Sequence, residues 1–330
     1  MGRFTPVYAC GDGLVKALIY RKFGGPDVLE WVGNWPKPAA TPGRVLIRCI
    51  AGSINPKDVL LRKGKFSCTL ARDPLPRVSG LDVAGEIIEV GKGVSNFKAG
   101  DIVFGMTNKF SGGVHAQWAT LGTNEITLVP PNITAVEASS IPLAAQTALQ
   151  ALRDYCRVAT GQRVLINGAS GGVGHFAVQI ARAMGAEVHA VCGPDHLDFV
   201  TSLGADTVYD YTVQPAPEIK SSFHSVFDVF GRYSVGDFTK QLGASGIFVS
   251  TVPRPGTLFG EGLALAGFNK RSRLVLVGSN TADLNQIAQW VETNQLRPHV
   301  EKVYAAARAD EAHRHIEGKH TTGKVVIELQ

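Results

Sequence analysis

Hydrophobic and polar positions change rhythm near residue 130 of this chain. From about residue 15 to that point, apolar residues come in short runs punctuated by glycine and proline: Arg44–Ile50, Val83–Val90, Asp101–Gly105 and Glu125–Val129. Short, β-branched runs between turn formers predict the strands of a small, mostly antiparallel barrel or sandwich. In Val90-Gly91-Lys92-Gly93-Val94 two glycines mark a tight connection between such strands.

Beyond Pro130-Pro131 the chain alternates between strand and helix patterns. Thr134 and Glu137 have the spacing of a capping box and open a helix, and a second helical run covers Leu143–Tyr155. Arg163–Asn167 reads as a short buried strand, Val173–Met184 as a helix and Glu187–Cys192 as another strand. Thr207–Tyr211, Ser225–Phe230, Gly246–Val252 and Arg273–Val277 continue the strands. Strands alternating with helices predict βαβ units and a parallel sheet, so this half is α/β.

Length changes the picture first: 330 residues are more than one ordinary domain needs, and two domains are expected. The net charge of +5 is spread thinly, with only short clusters such as Arg62-Lys63-Gly64-Lys65 and Lys270-Arg271-Ser272-Arg273. Without a basic stripe or a nucleic-acid motif, no nucleic-acid partner is expected. A modest positive excess suits an anionic small ligand instead. The five cysteines, Cys10, Cys49, Cys68, Cys156 and Cys192, have no paired spacing, so a reduced, cytoplasmic protein is expected. No apolar run reaches the roughly 18 residues of a membrane span. Residues 1–14 lack the apolar core of a secretory signal and read as a loose arm. Met1-Gly2 does not extend into a myristoylation motif, because Pro6 stands where serine or threonine is needed.

The segment richest in chemistry is Gly161–Arg182, GQRVLINGASGGVGHFAVQIAR. A strand ends at Gly168, and Ser170-Gly171-Gly172-Val173-Gly174 turns directly into a helix. Unpaired backbone N–H groups and the helix dipole at such a start attract a dinucleotide pyrophosphate. Glycines there permit the tight turn, close approach to phosphate and close helix–sheet contact. A glycine-rich turn alone is also found between ordinary strands and helices. Here it sits inside a βαβ unit, and a second strand ends about twenty residues on, as a dinucleotide fingerprint requires.

At this point a family resemblance becomes specific. Gly161-Gln162, Leu165, Ala169-Ser170-Gly171-Gly172, Gly174, Gln179 and Arg182 resemble the signature of the quinone oxidoreductase (ζ-crystallin-like) branch of the medium-chain dehydrogenase/reductase superfamily. Val15–Leu18 resembles the start of its first strand, Ser53-Ile54-Asn55-Pro56-Lys57-Asp58 its Asn-Pro-x-Asp active-site turn, and Thr322–Val326 its closing strand. Ser202–Tyr211 is similar to the group containing the chloroplast-envelope quinone oxidoreductase homologue and the reticulon-4-interacting protein. The resemblance implies a GroES-like, mostly β catalytic domain (15–137 and 285–330) interrupted by a Rossmann domain (138–284) with strand order 3-2-1-4-5-6. It also implies a cleft between two lobes and a homodimer.

For the cofactor, the resemblance implies Thr147, Ala169, Ser170, Gly171, Gly172, Val173, Gly174, Cys192, Gly193, His196, Tyr211, Val277 and Lys324 as binding residues. NAD-preferring Rossmann domains place a carboxylate at the tip of the second strand. Here the tip is Val191-Cys192-Gly193-Pro194, which leaves room for the 2′-phosphate of NADPH, with Tyr211 and His196 beside it.

Zinc members of the superfamily use a cysteine, a Gly-His-Glu motif and a later cysteine. This chain has Asn55 at the first position and Gly80-Leu81-Asp82 at the second, so no metal is expected. His313-x-His315 with His320 is the only histidine cluster; residues two apart on a helix diverge, and these read as solvated surface histidines. The resemblance assigns the chemistry to Asn55, whose amide faces a developing enolate oxygen, with Lys57 adding positive charge and Asp58 fixing the turn. Asn55-Pro56 by itself would equally serve as a turn. The tyrosines that donate a proton in some relatives are replaced by Leu60 and Phe66. The expectation is an NADPH-dependent reduction of quinones, enals or enones. An enoyl-thioester reductase ranks below it, and a non-enzymatic NADPH-binding structural or regulatory protein is the alternative from another class.

Overall fold

In the computed structural model, residues 10–266 and 271–330 are described. The chain divides into two compact units. One runs through Leu143 and takes back Gly278–Thr293 and Pro298–Gln330; the other comprises Ala144–Val277 with Asn294–Arg297.

The first unit is built on a seven-stranded sheet. In order across it lie Val300–Ala305, Lys324–Glu328, Arg44–Ile54, Asp82–Val90, Ile102–Met106 and Ile126–Leu128, while Trp118–Gly122 also pairs with Arg44–Ile54. All neighbours are antiparallel except Val300–Ala305 with Lys324–Glu328. Val45, Ile47, Cys49, Val83, Ile87, Val103, Leu121, Val325 and Ile327 fill the core beneath it. These are the alternate positions of their strands, as period-two burial demands. A smaller sheet pairs Cys10–Tyr20 with Leu29–Pro38 and with Arg77–Val78. Its first strand begins inside the stretch expected to be a loose arm: Cys10 lies opposite Pro38 and Leu14 opposite Pro36, because a long hairpin partner was available to order them. Residues 1–9 of that expected arm lie outside the described residues.

The second unit carries a six-stranded, wholly parallel sheet in the order Thr207–Asp210, Glu187–Cys192, Arg163–Asn167, Phe223–Asp228, Leu242–Ser250, Ser272–Leu274. Numbered along the unit, that order is 3-2-1-4-5-6, the doubly wound Rossmann arrangement expected from the sequence. The last strand ends at Leu274 and leaves Val277 outside it. Leu165, Val191, Val226 and Phe248 form the centre of the unit's core together with Phe238 and Ile219. Among the described residues no helix is long and apolar enough to cross a membrane.

Candidate functional site

Strand register explains why one polar cluster forms in the first unit. Val325 lies opposite Ile54, and Ala51 opposite Ala84. Continuing those antiparallel registers outward sets Lys324 across from Asn55 and Asp82 across from Ser53. The side chains meet accordingly. Asp82 is fully buried; its Oδ2 accepts from Ser53 Oγ at 2.7 Å and from Asn55 Nδ2 at 2.9 Å, and its Oδ1 accepts from the Leu143 backbone N–H at 2.9 Å. Lys324, only 3% exposed, donates from Nζ to Asn55 Oδ1 at 2.5 Å and lies 3.9 Å from Asp82 Oδ2. Burial pulls the Lys324 ammonium below its ordinary range while Asp82 and Asp58 oppose that shift. Burial likewise pushes Asp82 up against the pull of Lys324.

Next to this cluster the chain enters the helix Pro56–Arg62, with Pro56 at its first position, where a missing N–H costs nothing. Asp58 Oδ2 accepts the Asn55 backbone N–H at 2.8 Å and so holds the turn. Its Oδ1 is buried and meets no donor among the described residues, and burial pushes the carboxyl up to about 7. Lys57 lays its ammonium 4.0 Å over the ring of Phe110, which in turn packs edge-to-face on Phe66 at 5.4 Å. A phenyl ring therefore occupies position 66, and Leu60 is exposed.

Behind the cluster sits a buried histidine. His115 is fully enclosed and neither ring nitrogen finds a hydrogen-bond partner among the described residues. Gly52 and Gly80 make room for the ring: a Cβ on either would lie 2.0–2.8 Å from its atoms. Burial pushes His115 down to about 4, opposed weakly by the nearby Ser53 and Asp82 backbone. His313 is also fully buried and held well below its ordinary range. The reading of His313 as a solvated surface histidine is therefore corrected: it lies on the inner face of the helix Ala309–Glu317. His315 is half-buried, with Nδ1 3.0 Å from Tyr304 Oη and Nε2 3.1 Å from Glu301. Among the described residues no group of three His, Cys, Asp or Glu is arranged to hold a metal ion.

In the second unit the dinucleotide fingerprint lies at the carboxyl end of the parallel sheet. Gly168 and Ala169 donate their N–H groups to Val191 O, which ties the glycine turn to the neighbouring strand. Ser170, Gly171, Gly172 and Val173 are partly exposed, and the helix Gly174–Ala183 begins with no side-chain cap at Val173. The His175 N–H already donates to Gly171 O at 3.0 Å, so an anion here would be met by the N–H groups of the turn that precedes it. The glycines differ in purpose. A Cβ on Gly174 would lie 2.0 Å from Gly168 O and 2.7 Å from Ala169 Cα, whereas one on Gly171 would meet only Gly168 O at 3.6 Å. Gly174 is thus needed for helix–strand contact, and Gly171 lines open space.

Cys192 and Gly193 end the second strand. Cys192 is buried, so its side chain is not offered to a ligand. Tyr211 donates its N–H to Cys192 O at 3.1 Å, and its ring lies 3.4 Å from where a Gly193 Cβ would be. His196 closes the short turn Pro194–His196 beside them. Thr147 is almost completely buried in the helix Pro142–Gln150, and Val277 stands beyond the last strand. The structure therefore gathers Ala169–Gly174, Cys192, Gly193, His196 and Tyr211 at neighbouring strand ends. It gathers Asn55, Lys57 and Asp58 in the other unit, and Lys324 with them. Sequence reasoning missed Ser53 and Asp82. The available signal was an acid at 82 set between Leu81 and Val83 at the very start of an apolar strand.

Comparison with known proteins agrees with this arrangement. Residues 41–135 match the family described as "Alcohol dehydrogenase GroES-like domain", and 203–327 match "Zinc-binding dehydrogenase". The chloroplast envelope quinone oxidoreductase homolog of Arabidopsis thaliana is 32% identical over 327 residues, covering 96% of this chain and 98% of the relative. The NADPH-dependent alkenal/one oxidoreductase of the same plant is 30% identical over 324 residues, covering 95% and 79%. The quinone oxidoreductase structure from Coxiella burnetii superposes with a TM-score of 0.86 at 29% identity, over 96% of this chain and all of that one. The chain belongs to the quinone oxidoreductase branch of the medium-chain dehydrogenase/reductase superfamily.

Proposed function

We propose that this oxidoreductase uses NADPH to reduce quinones, enals or enones, and does so without zinc. The observation that carries the reading is the Asn55 cluster. At the positions where zinc relatives offer thiolate and imidazole, this chain offers an amide, Asn55, and the apolar Leu81. The Asn55 amide and the Asp82 carboxylate are already held by Ser53, Lys324 and each other. That donor set does not fit a catalytic zinc ion. It does fit stabilisation of an oxyanion, because a neutral amide backed by a buried ammonium favours negative charge nearby.

The residues of the second unit fit the nicotinamide dinucleotide. The turn that precedes Gly174 and the open side of Gly171 would accept the pyrophosphate. The absence of a carboxylate at Gly193, with the Tyr211 phenol beside it, favours the 2′-phosphate. NADPH supplies the hydride for the acceptor's β-carbon or its quinone equivalent. The protein's part is to hold the carbonyl oxygen on the Asn55 N–H as charge develops there. With Leu60 and Phe66 in place of phenols, the proton reaches the α-carbon from water. Homodimer formation is proposed on the family resemblance alone.

The test is NADPH oxidation against a panel of quinones, enals, enones, an enoyl-CoA and simple saturated aldehydes, with and without a strong chelator. Conjugated acceptors should turn over, saturated aldehydes should not, and the chelator should have no effect. Asn55→Ala should lose about 10²–10³-fold in turnover while still binding NADPH. Efficient reduction of saturated aldehydes, or undiminished turnover by Asn55→Ala, would refute the mechanism.

A further inference from the structure

We infer that Lys324 is a positioning residue for Asn55: its ammonium fixes the side-chain amide in the one orientation that leaves an N–H for the acceptor's oxygen. The inference rests on the role proposed above for Asn55, and it moves Lys324 from the cofactor to the acceptor.

The amide's own hydrogen bonds carry the argument. Asn55 Oδ1 accepts from Lys324 Nζ at 2.5 Å, and Nδ2 donates one hydrogen to Asp82 Oδ2 at 2.9 Å. Asn55 is 1% exposed and its second Nδ2 hydrogen is held only by Ser53 O, at 3.4 Å, so an acceptor's oxygen has to enter the cluster and displace that long contact. An asparagine amide can usually flip without much change in shape. Here the flip is prevented from both sides. It would turn Nδ2 toward an ammonium that has no lone pair and Oδ1 toward a carboxylate that has no proton. Two charge-assisted contacts would become two repulsive ones. Asp82 alone would orient the NH₂ group. Lys324 adds charge on the opposite end of the amide, and an ammonium on Oδ1 draws density from nitrogen and strengthens the remaining N–H as a donor.

Burial makes this arrangement specific. Lys324 is 3% exposed and Asp82 fully buried, so neither charge is diluted by water, and each is the other's counter-ion at 3.9 Å. The charged or titratable groups acting on Lys324 are Asp82 and Asp58, which keep it protonated, against burial, which drives the proton off. His115 and Lys57 complete the titratable surroundings of the cluster. Alkaline loss of the Lys324 proton should therefore unlock the Asn55 amide.

The experiment compares wild type with Lys324→Met and Lys324→Arg, measuring kcat and KM for a quinone and an enone across pH 6–10. NADPH affinity by fluorescence titration and thermal stability are measured on the same samples. Lys324→Met should lose at least about tenfold in kcat, but less than the roughly 10²–10³-fold expected for removing the donor itself. NADPH affinity should change less than about twofold, a difference worth under about 0.4 kcal/mol. The alkaline fall of kcat in wild type should disappear in Lys324→Met, and Lys324→Arg should recover part of the lost turnover. Should Lys324→Met fail to fold because Asp82 is left unpaired, the neutral double variant Lys324→Met/Asp82→Asn takes its place. It should fold and turn over more slowly than Asp82→Asn alone, whereas a merely structural role for the ion pair would make it at least as fast as Asp82→Asn. Full kcat in Lys324→Met, a double variant at least as fast as Asp82→Asn, or a loss of NADPH affinity in place of turnover, overturns the inference. If Asn55→Ala itself keeps full turnover, the inference falls together with the proposed mechanism. If Asn55→Ala is impaired and Lys324→Met is not, only the inference falls.

Discussion

His115 offers a prediction whose size follows from the structure. The ring is enclosed by Gly52, Gly80 and the Asp82 backbone, and burial pushes it down to about 4 from an unfolded value of 6.5. A gap of about 2.5 units at 1.36 kcal/mol each corresponds to about 3 kcal/mol. Between pH 6.5 and 4 the unfolded chain binds a proton that the folded chain refuses. Stability is therefore intact above 6.5 and lost as pH falls toward 4. The wild-type curve alone would hide this, because Asp58, pushed up to about 7, works in the opposite direction. Its raised value favours the folded state at low pH, and that contribution is lost as pH rises through 7. The difference between wild type and His115→Leu removes the Asp58 share and any constant packing change. That difference should shift by about 3 kcal/mol in favour of wild type between pH 4 and 7. All four tryptophans, Trp31, Trp35, Trp118 and Trp290, belong to the unit that holds His115, so urea unfolding followed by their fluorescence reads that unit. A difference that is flat with pH to within about 0.5 kcal/mol would refute the argument.

Two further predictions separate the parts of the second unit. Gly174→Ala should destabilise by about 1–3 kcal/mol, because its Cβ would meet backbone rather than a movable side chain. Gly171→Ala should unfold as wild type does, and lose NADPH affinity only; thermal unfolding and fluorescence titration on both variants decide, and equal Tm values would sink the distinction. Tyr211→Phe should weaken NADPH by roughly fivefold, the worth of about one hydrogen bond, and leave NADH unchanged; equal loss for both cofactors would assign Tyr211 a packing role.

The parallel sheet was readable in the chain because each strand is a compact apolar run between turn residues. Arg163–Asn167 and Glu187–Cys192 begin and end where the pattern placed them. The long hairpin of Cys10–Tyr20 with Leu29–Pro38 was not readable. Its strands are interrupted by Gly33, Trp35-Pro36 and Pro38, and its order comes from pairing rather than from local preference. The Asn-Pro-x-Asp turn could be recognised from six consecutive residues. Its partners could not: Lys324 is 269 positions away, and only sheet register brings it to Asn55. His313 was misjudged because only its two-residue spacing from His315 was weighed; the helical period puts it on the apolar stripe of Ala309, Ala312 and Ile316, which faces the core.

The return of the chain to its first unit has a consequence for synthesis on the ribosome. Strand Arg44–Ile54 emerges early, yet one of its sheet neighbours, Lys324–Glu328, is made only after the whole parallel-sheet unit has been translated. Until then the edge of Arg44–Ile54 that will pair with it is open, and Asn55 and Asp82 lack their cation. The nascent first unit must wait with an unpaired strand edge and an uncompensated buried carboxylate, while the inserted unit has all six of its strands in hand and is free to fold first. The Asn55 amide can therefore gain its Lys324 contact only after the last strand has been made.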